Sequence, residues 1–227
     1  MKEGIKVSQQ QAAKIEKETR GQAGSQKWTS EREWRVTASH FGSVCKATDR
    51  RDMEILCASM YRPRKFDCPS IRHGRTYESA AIQKFSEVKG KRVTKCGFYV
   101  DPDLPYLGAS PDGIIEGEDA VVEVKCPYTA RNSTISPDNI KKFTFLEKYG
   151  DNSMRLKRNS DYYYQIIGQL KLSRKNKCYF CVYTFEDLYV EEIVHDDHFF
   201  TYTMLPKLKD FFENEYCPYV ASSLEQQ

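Results

Sequence analysis

The sequence lacks any hydrophobic run long enough to cross a membrane and any segment that resembles an export signal. A membrane-spanning helix needs about 18 or more consecutive apolar residues, and the chain of 227 residues contains no such run. The N-terminus is polar and carries several glutamates, unlike secretion signals and organelle transit peptides. The sequence therefore predicts an intracellular protein, of the cytoplasm or the nucleus, that is neither secreted nor held in a membrane.

The chain also lacks a strong net charge. Lys and Arg total 35 and Asp and Glu total 32, so the formal net charge is only +3. As an average, this value argues against a strongly basic nucleic-acid binder. The charges are nevertheless segregated, because residues 141–177 hold ten Lys or Arg against three acids, whereas residues 186–227 hold two Lys against ten acids. This segregation predicts a one-sided basic surface at residues 141–177 and salt-sensitive binding to phosphates.

Several common site motifs are missing as well. The sequence has no phosphate-binding loop, no dinucleotide fingerprint and no serine hydrolase elbow. Of its eight cysteines, only Cys178 and Cys181 have a metal-like spacing. They lie in an apolar run typical of a strand, which places residues three apart on opposite faces and suits zinc poorly. We therefore expect reduced cysteines that pack in the interior.

Hydrophobic periodicity predicts one domain of mixed secondary structure. Residues 1–27 are polar and predict a tail, helical in part over residues 5–15, ahead of a single domain over residues 28–227. Helices are predicted over 52–61, 74–89, 138–149, 160–173 and 197–215, and strands over 92–100, 106–115, 120–126, 177–185 and 189–194. This order indicates the α/β (α+β) class, with a central mixed five-stranded sheet flanked by helices.

Two carboxylates and one ammonium group are predicted to converge on a strand hairpin. Glu123 and Lys125 are two apart in a strand, so both side chains leave the same face. A turn at Gly117 brings Asp112 back beside Glu123. Two carboxylates form a hard oxygen site for Mg²⁺ or Mn²⁺, which can activate water against a phosphodiester. The alternative is a surface hairpin with an incidental Glu–Lys pair; the apolar strand around these charges supports a metal nuclease site, and the pattern alone leaves both open.

Several motifs then occur in an order that is typical of one family. They are Trp28 with Arg32, VTAS at 36–39, GRTYE at 74–78, LGASPDG at 107–113, EVKCP at 123–127, and a Tyr-rich segment at 162–170 that contains Gln165. Over residues 28–200 the sequence resembles the lambda exonuclease family, the YqaJ-type viral recombinase nucleases of the PD-(D/E)XK superfamily. The resemblance implies a restriction-endonuclease-like core.

The resemblance also implies roles for individual residues. Asp112 and Glu123 would bind the metal together with the carbonyl of Val124, and Lys125 would assist the nucleophilic water. Glu78 would contribute to the metal site, and Gln165 would orient water or substrate. The alternative for Glu78 is that it is simply an exposed glutamate of a helix. The alternative for Gln165 is that it belongs to the polar face of a Tyr-rich helix. The sequence departs from several family members at Ile167, where they carry a second glutamine, and the next glutamine here is Gln169.

A second set of residues resembles the family's pocket for the 5′-terminal phosphate. Arg32, Ser39 and Ser110 make up this set, and a guanidinium with hydroxyl groups suits a phosphate. Ser39 has an alternative role as a helix N-cap, which is compatible with phosphate binding.

The implied activity is Mg²⁺-dependent 5′→3′ digestion of linear double-stranded DNA, which releases 5′-mononucleotides and leaves a 3′ single strand. The resemblance further implies a ring-shaped trimer and a single-strand annealing protein as partner. Two alternatives stay open: an endonuclease or repair nuclease of the same superfamily, and a catalytically silent DNA-binding module.

Overall fold

The computed structural model describes residues 4–62, 67–150 and 153–225, so residues 1–3 of the predicted tail and residues 63–66, 151–152 and 226–227 of the predicted domain lie outside the described residues. Its strands are β1 (Val36–Thr37), β2 (Val93–Thr94), β3 (Tyr99–Asp101), β4 (Leu104–Ala109), β5 (Gly113–Ile115), β6 (Ala120–Lys125), β7 (Leu146–Tyr149), β8 (Ser153–Leu156), β9 (Lys177–Tyr183) and β10 (Leu188–Val194). Within these ranges, no helix is both long enough and apolar enough to span a membrane.

A mixed five-stranded sheet lies at the centre, in the order β10-β9-β6-β5-β2. Strands β6 and β9 are parallel, and the other pairs are antiparallel. Strand β6 is buried on both faces because Val121 packs in one core while Val122 and Val124 pack in another. This architecture confirms the predicted fold class and the predicted five-stranded sheet.

Helices cover both faces of this sheet. They are α1 (Gln9–Glu18), α2 (Gln26–Glu33), α3 (Ala38–Cys45), α4 (Met53–Met60), α5 (Pro69–Lys89), α6 (Asp161–Ser173), α7 (Asp197–Phe199), α8 (Leu205–Phe211) and α9 (Cys217–Glu225), with π-helical segments Phe200–Met204 and Phe212–Tyr216. Helix α5 packs against the Val122 face, and α6 packs on the Val121 face. Gly168 lets α6 approach α3 closely, since a Cβ atom there would lie 2.4 Å from the ring of Phe41.

The two cysteines of the C-x-x-C lie on opposite faces of β9, as predicted. Cys178 belongs to the core on the α6 side and Cys181 to the core on the α5 side, and both are fully buried. A strand therefore separates the two thiols, and they cannot ligate one ion together.

Three predicted elements differ from the structure. The segment predicted as a helix over 138–149 is a 3-10 helix, Pro137–Lys142, followed by β7, after which Gly150 has a φ of +66°. The predicted strand over 106–115 is two strands, β4 and β5, because the Ser110–Asp112 loop lies between them. The predicted strand over 92–100 is split in the same way into β2 and β3, which belong to different sheets.

The N-terminal residues differ from the expected polar tail. Helix α1 packs on β3, where Ile15 shares a small core with Phe98 and Val100. Its first turn is closed by a capping box between Ser8 and Gln11. Helix α1 is mostly polar and buries only Ala12 and Ile15, and these two side chains lie on the face that contacts the domain. Because the rest of the segment is polar, its composition alone suggests a tail.

Candidate active site

The β5–β6 hairpin places Asp112 beside Glu123. Gly113 pairs with Val122, so Asp112 precedes β5 at the level of Glu123. The backbone amide of Asp112 donates to the carbonyl of Val122 at 3.1 Å, and the amide of Val124 donates to Oδ2 of Asp112 at 2.7 Å. The turn at Gly117 has a φ of +77°, a conformation that glycine adopts without steric cost. The hairpin thus brings the two predicted metal ligands together.

Lys125 and Gln165 complete the cluster around Glu123. The Lys125 ammonium donates to Oε1 of Glu123 at 2.6 Å and to Oε1 of Gln165 at 3.2 Å. The Gln165 amide donates to Oε1 of Glu123 at 2.7 Å. Lys125 also lies over the ring of Tyr162, 4.6 Å from its centroid. The structure therefore brings Gln165 of α6 to the carboxylate of β6.

Gln169 also belongs to this cluster, a role that was not predicted from the sequence. Its Nε2 donates to Oε2 of Glu123 at 2.7 Å, and its side chain is fully buried. Its Oε1 has no hydrogen-bond partner among the described residues. The signal in the sequence is the four-residue spacing from Gln165, which puts both amides on one helix face.

The charges of the cluster repel and compensate one another. Partial burial and the negative charge of Glu123 raise the pKa of Asp112 well above its ordinary value. Burial lowers the pKa of Lys125, but Glu123 and Asp112 outweigh it and leave that pKa raised. These carboxylates therefore favour the protonated form of Lys125. Two closely placed carboxylates with a single ammonium group leave a site that a further cation would stabilise.

Glu78 lies on α5 and faces the same site from a greater distance. It is half-buried, and burial together with repulsion by Glu123 raises its pKa. Among the described residues, no cluster of three or more His, Cys, Asp or Glu side chains is close enough to hold a metal ion. The structure thus brings together Asp112 and Glu123 and leaves Glu78 outside their hydrogen-bonded network.

A second polar cluster contains the three residues predicted to bind a 5′-phosphate. Trp28 links two of them, because its indole N–H donates to Oγ of Ser110 at 2.8 Å while its ring lies 4.3 Å from the Arg32 guanidinium carbon. Arg32 reaches the Thr37 hydroxyl at 3.5 Å, and Thr37 contacts Ser39 at 3.2 Å. Thr37, not Ser39, holds the N-cap position of α3, so the exposed Ser39 hydroxyl lies in the first helical turn.

Arg32 is poorly solvated and has no ionised partner. Burial lowers its pKa to about 10, and no carboxylate among the described residues pairs with it. His40 lies next to Thr37, with its Nδ1 3.0 Å from the Thr37 hydroxyl. Burial and the charge of Arg32 lower the pKa of His40 to about 4, so it is neutral at physiological pH. This half-buried guanidinium among hydroxyls suits a bound anion.

The basic segment at 141–177 is more neutralised than its composition suggests. Six of its ten basic residues form ion pairs, five of them with carboxylates outside the segment and Arg155 with Glu147 inside it; the five are Arg158, Lys171, Arg174, Lys175 and Lys177. Asp196 and Asp197 of the acidic C-terminal part bind Arg158 and Lys171. Three of the pairs, those of Arg158, Lys171 and Lys177, join the two oppositely charged segments, so the acidic C-terminal part neutralises part of the predicted basic surface.

The fold resembles those of exonucleases whose structures have been solved. An alkaline exonuclease from Laribacter hongkongensis aligns with a TM-score of 0.67 at 20% identity, covering 89% of this chain and 98% of that chain. A phage-related exonuclease from Haemophilus somnus 129PT aligns with a TM-score of 0.59 at 10% identity, covering 85% and 96%. The shutoff and exonuclease protein of Kaposi's sarcoma-associated herpesvirus aligns with a TM-score of 0.56 at 12% identity, covering 94% and 75%.

These structural likenesses show a shared fold, and no curated protein matches the sequence. The model of the YqaJ-like viral recombinase domain matches residues 27–176 and confirms the resemblance to the lambda exonuclease family. Because that match covers more than half of the chain, the protein belongs to the YqaJ-like viral recombinase domain family.

Proposed function

We propose that the protein is a Mg²⁺-dependent exonuclease that digests linear double-stranded DNA from 5′ to 3′, releases 5′-mononucleotides and leaves a 3′ single strand. Family membership and the exonuclease-like fold support a nuclease that acts on DNA. The observation that carries the proposal is the convergence of Asp112, Glu123, Lys125 and Gln165 on one hairpin and one helix.

The chain's own residues fit a hard divalent cation. The carboxylates of Asp112 and Glu123 are the oxygen donors that Mg²⁺ and Mn²⁺ prefer, and their mutual repulsion favours a cation between them. The carbonyl of Val124 and the carboxylate of Glu78 would supplement them. When bound, the metal would activate a water molecule and offset charge on the scissile phosphate.

The remaining side chains hold water and phosphate in position. The neighbouring carboxylates raise the pKa of Lys125 and favour its protonated form, which would act as a point charge that orients the attacking water or stabilises the negative phosphate oxygens. Gln165 is hydrogen-bonded to both Lys125 and Glu123 and holds their side chains in a fixed relative position. Positioning by such a network lowers the activation barrier because the reacting groups are held before the reaction begins.

The Arg32 cluster supports exonuclease action over internal cleavage. A half-buried guanidinium near Ser39 and Ser110 would bind a terminal phosphate, and Ser110 lies two residues before Asp112. A bound 5′ end would set the scissile bond at a fixed distance from the catalytic cluster. The related L. hongkongensis enzyme has been seen with dAMP, a 5′-mononucleotide. We further propose, from the family resemblance, a ring trimer and an annealing partner.

Digestion of end-labelled DNA tests this function. A linear duplex is labelled at either end, with and without a 5′ phosphate, and incubated with Mg²⁺ or with EDTA. We expect mononucleotide release from the 5′ label first, faster with the phosphate, and none in EDTA. Cleavage of closed circular plasmid would instead establish the endonuclease alternative. Binding of DNA without any degradation would establish the silent binding module.

A further inference from the structure

The N-terminal segment, residues 8–25, contacts the loop that carries Asp112. All of this segment precedes residues 27–176, the part of the chain that matches the family model. The Gln22 amide Nε2 donates to the carbonyl of Pro111 at 2.9 Å and to the carbonyl of Cys96 at 3.1 Å. Pro111 is bonded directly to Asp112, so Gln22 lies one peptide away from a proposed metal ligand.

Gln22 has a backbone conformation that residues other than glycine rarely adopt. Its φ is +43°, in the left-handed region that costs a residue with a Cβ atom about 1–2 kcal/mol. The conformation is fixed by neighbouring hydrogen bonds, from the Gln22 amide to the carbonyl of Thr19 at 2.8 Å and from the Ser25 amide to the carbonyl of Gln22 at 2.7 Å. Backbone strain of this kind persists where the surrounding structure enforces it, often beside functional sites.

Helix α1 and its C-cap residue Thr19 fix the segment that contains Cys96, the second hydrogen-bond acceptor of Gln22. The amide of Gly97 donates to Oε1 of Glu16 at 3.0 Å, and the amide of Phe98 donates to the Thr19 hydroxyl at 2.7 Å. A Cβ atom on Gly97 would lie 1.8 Å from the carbonyl oxygen of Glu16, so the backbone at Gly97 is in close contact with the backbone of α1. The segment that includes Cys96 is therefore held rigidly against α1.

The Pro111 carbonyl is thus held by two donors. Gln22 supplies one, and the Cys96 thiol supplies the other at a distance of 3.2 Å. A carbonyl that is fixed on both sides sets the plane of the peptide that joins Pro111 to Asp112. On the far side, the Val124 amide holds the carboxylate of Asp112. The position of Asp112 is consequently determined at both its backbone and its side chain.

We propose that Gln22 is a positioning residue for Asp112 and that the N-terminal segment is part of the active-site framework. This inference rests on the proposed nuclease function. Groups that orient a metal ligand typically change metal affinity or activity by roughly 10–100-fold when they are removed. Gln22 acts through the backbone of the loop and does not touch the substrate.

The test compares Gln22→Ala with Gln10→Ala, a control on the exposed surface of α1. Mn²⁺ binding is measured by calorimetry on the DNA-free protein, and cleavage of a linear duplex is measured against Mg²⁺ concentration. We expect Gln22→Ala to weaken Mn²⁺ binding and to raise the half-maximal Mg²⁺ concentration by roughly tenfold or more. Gln10→Ala should match the wild type in both measurements.

A second variant separates positioning from folding. Gln22→Gly relieves the backbone strain while it removes both hydrogen bonds of the Gln22 side-chain amide, so its melting temperature should stay at or above that of Gln22→Ala. The proposal is overturned if Gln22→Gly folds and binds Mn²⁺ as tightly as the wild type. If the wild type itself neither binds Mn²⁺ nor degrades DNA, the proposed function fails and this inference fails with it.

Discussion

Gln169 donates a hydrogen bond of 2.7 Å from its amide to Oε2 of Glu123, and both side chains are almost completely buried. Gln165, one helical turn earlier, binds the other oxygen of the same carboxylate. Two amides of α6 therefore fix the orientation of Glu123. The Oε1 atom of Gln169 is buried without a partner among the described residues, which is costly unless it serves the site.

Replacing Gln169 with Leu should impair both catalysis and folding. The variant keeps the volume and removes the unpaired oxygen, but it leaves Oε2 of Glu123 without this donor, so we expect the unfolding free energy to fall by about 1–3 kcal/mol. Loss of orientation at Glu123 should slow cleavage by roughly 10–100-fold. Chemical denaturation and single-turnover cleavage measure the two effects. Gln83→Leu, on the exposed face of α5, is the control, and wild-type cleavage by Gln169→Leu would contradict this role.

The catalytic hairpin could be predicted from sequence because its geometry is local. Strand alternation places Glu123 and Lys125 on one face, and a short turn returns Asp112 to them. Gln169 escaped prediction because the rotation of α6 relative to the sheet depends on its packing against α3, where Gly168 meets Phe41. Sequence spacing shows which residues share a helix face, but tertiary packing decides what that face contacts.

Long-range pairing limited the other predictions. The charge of residues 141–177 is plain in the sequence, but the pairs that cancel much of it, such as Arg158 with Asp196, join segments far apart in the chain. The docking of α1 likewise depends on the contact between Ile15 and Phe98, two residues that are distant in the sequence and become neighbours only in the folded chain. Such contacts leave no local pattern.

Asp112→Asn should abolish cleavage and stabilise the metal-free protein. The folded pKa of Asp112 is raised, so the unfolded chain binds fewer protons through this group, and its contribution to stability decreases as the pH rises above the ordinary carboxyl pKa. Asparagine can still accept the Val124 hydrogen bond without the charge. In EDTA at neutral pH we expect a higher melting temperature, where about 1 kcal/mol corresponds to roughly 2–4 °C. Scanning calorimetry across pH should show this gain disappearing under acid conditions, and a lower melting temperature at neutral pH would contradict it.

Arg32→Gln should remove the preference for a 5′-phosphorylated end. A hydrogen bond to a charged group contributes about 1.5–3 kcal/mol, or roughly 10–100-fold in the ratio of kcat/KM for phosphorylated over hydroxyl ends. Because Arg32 lies outside the Glu123 network, the maximal rate on hydroxyl ends should stay close to that of the wild type. Arg92→Gln, an exposed arginine paired with Glu116, is the matched control. An unchanged ratio in Arg32→Gln would place the phosphate site elsewhere.

Lys125 and Glu123 should be coupled in stability but separately required for catalysis. Lys125→Met leaves Glu123 and Asp112 without their nearby cation, and breaking a buried pair from one side costs up to about 3–5 kcal/mol. Adding Glu123→Gln removes the uncompensated charge, so the double variant should recover most of the lost unfolding free energy. Its cleavage should stay abolished, because neither the carboxylate nor the ammonium remains to hold metal and water. Denaturation of the four proteins in EDTA completes a double-mutant cycle, in which additive effects would show that the 2.6 Å contact contributes no coupling.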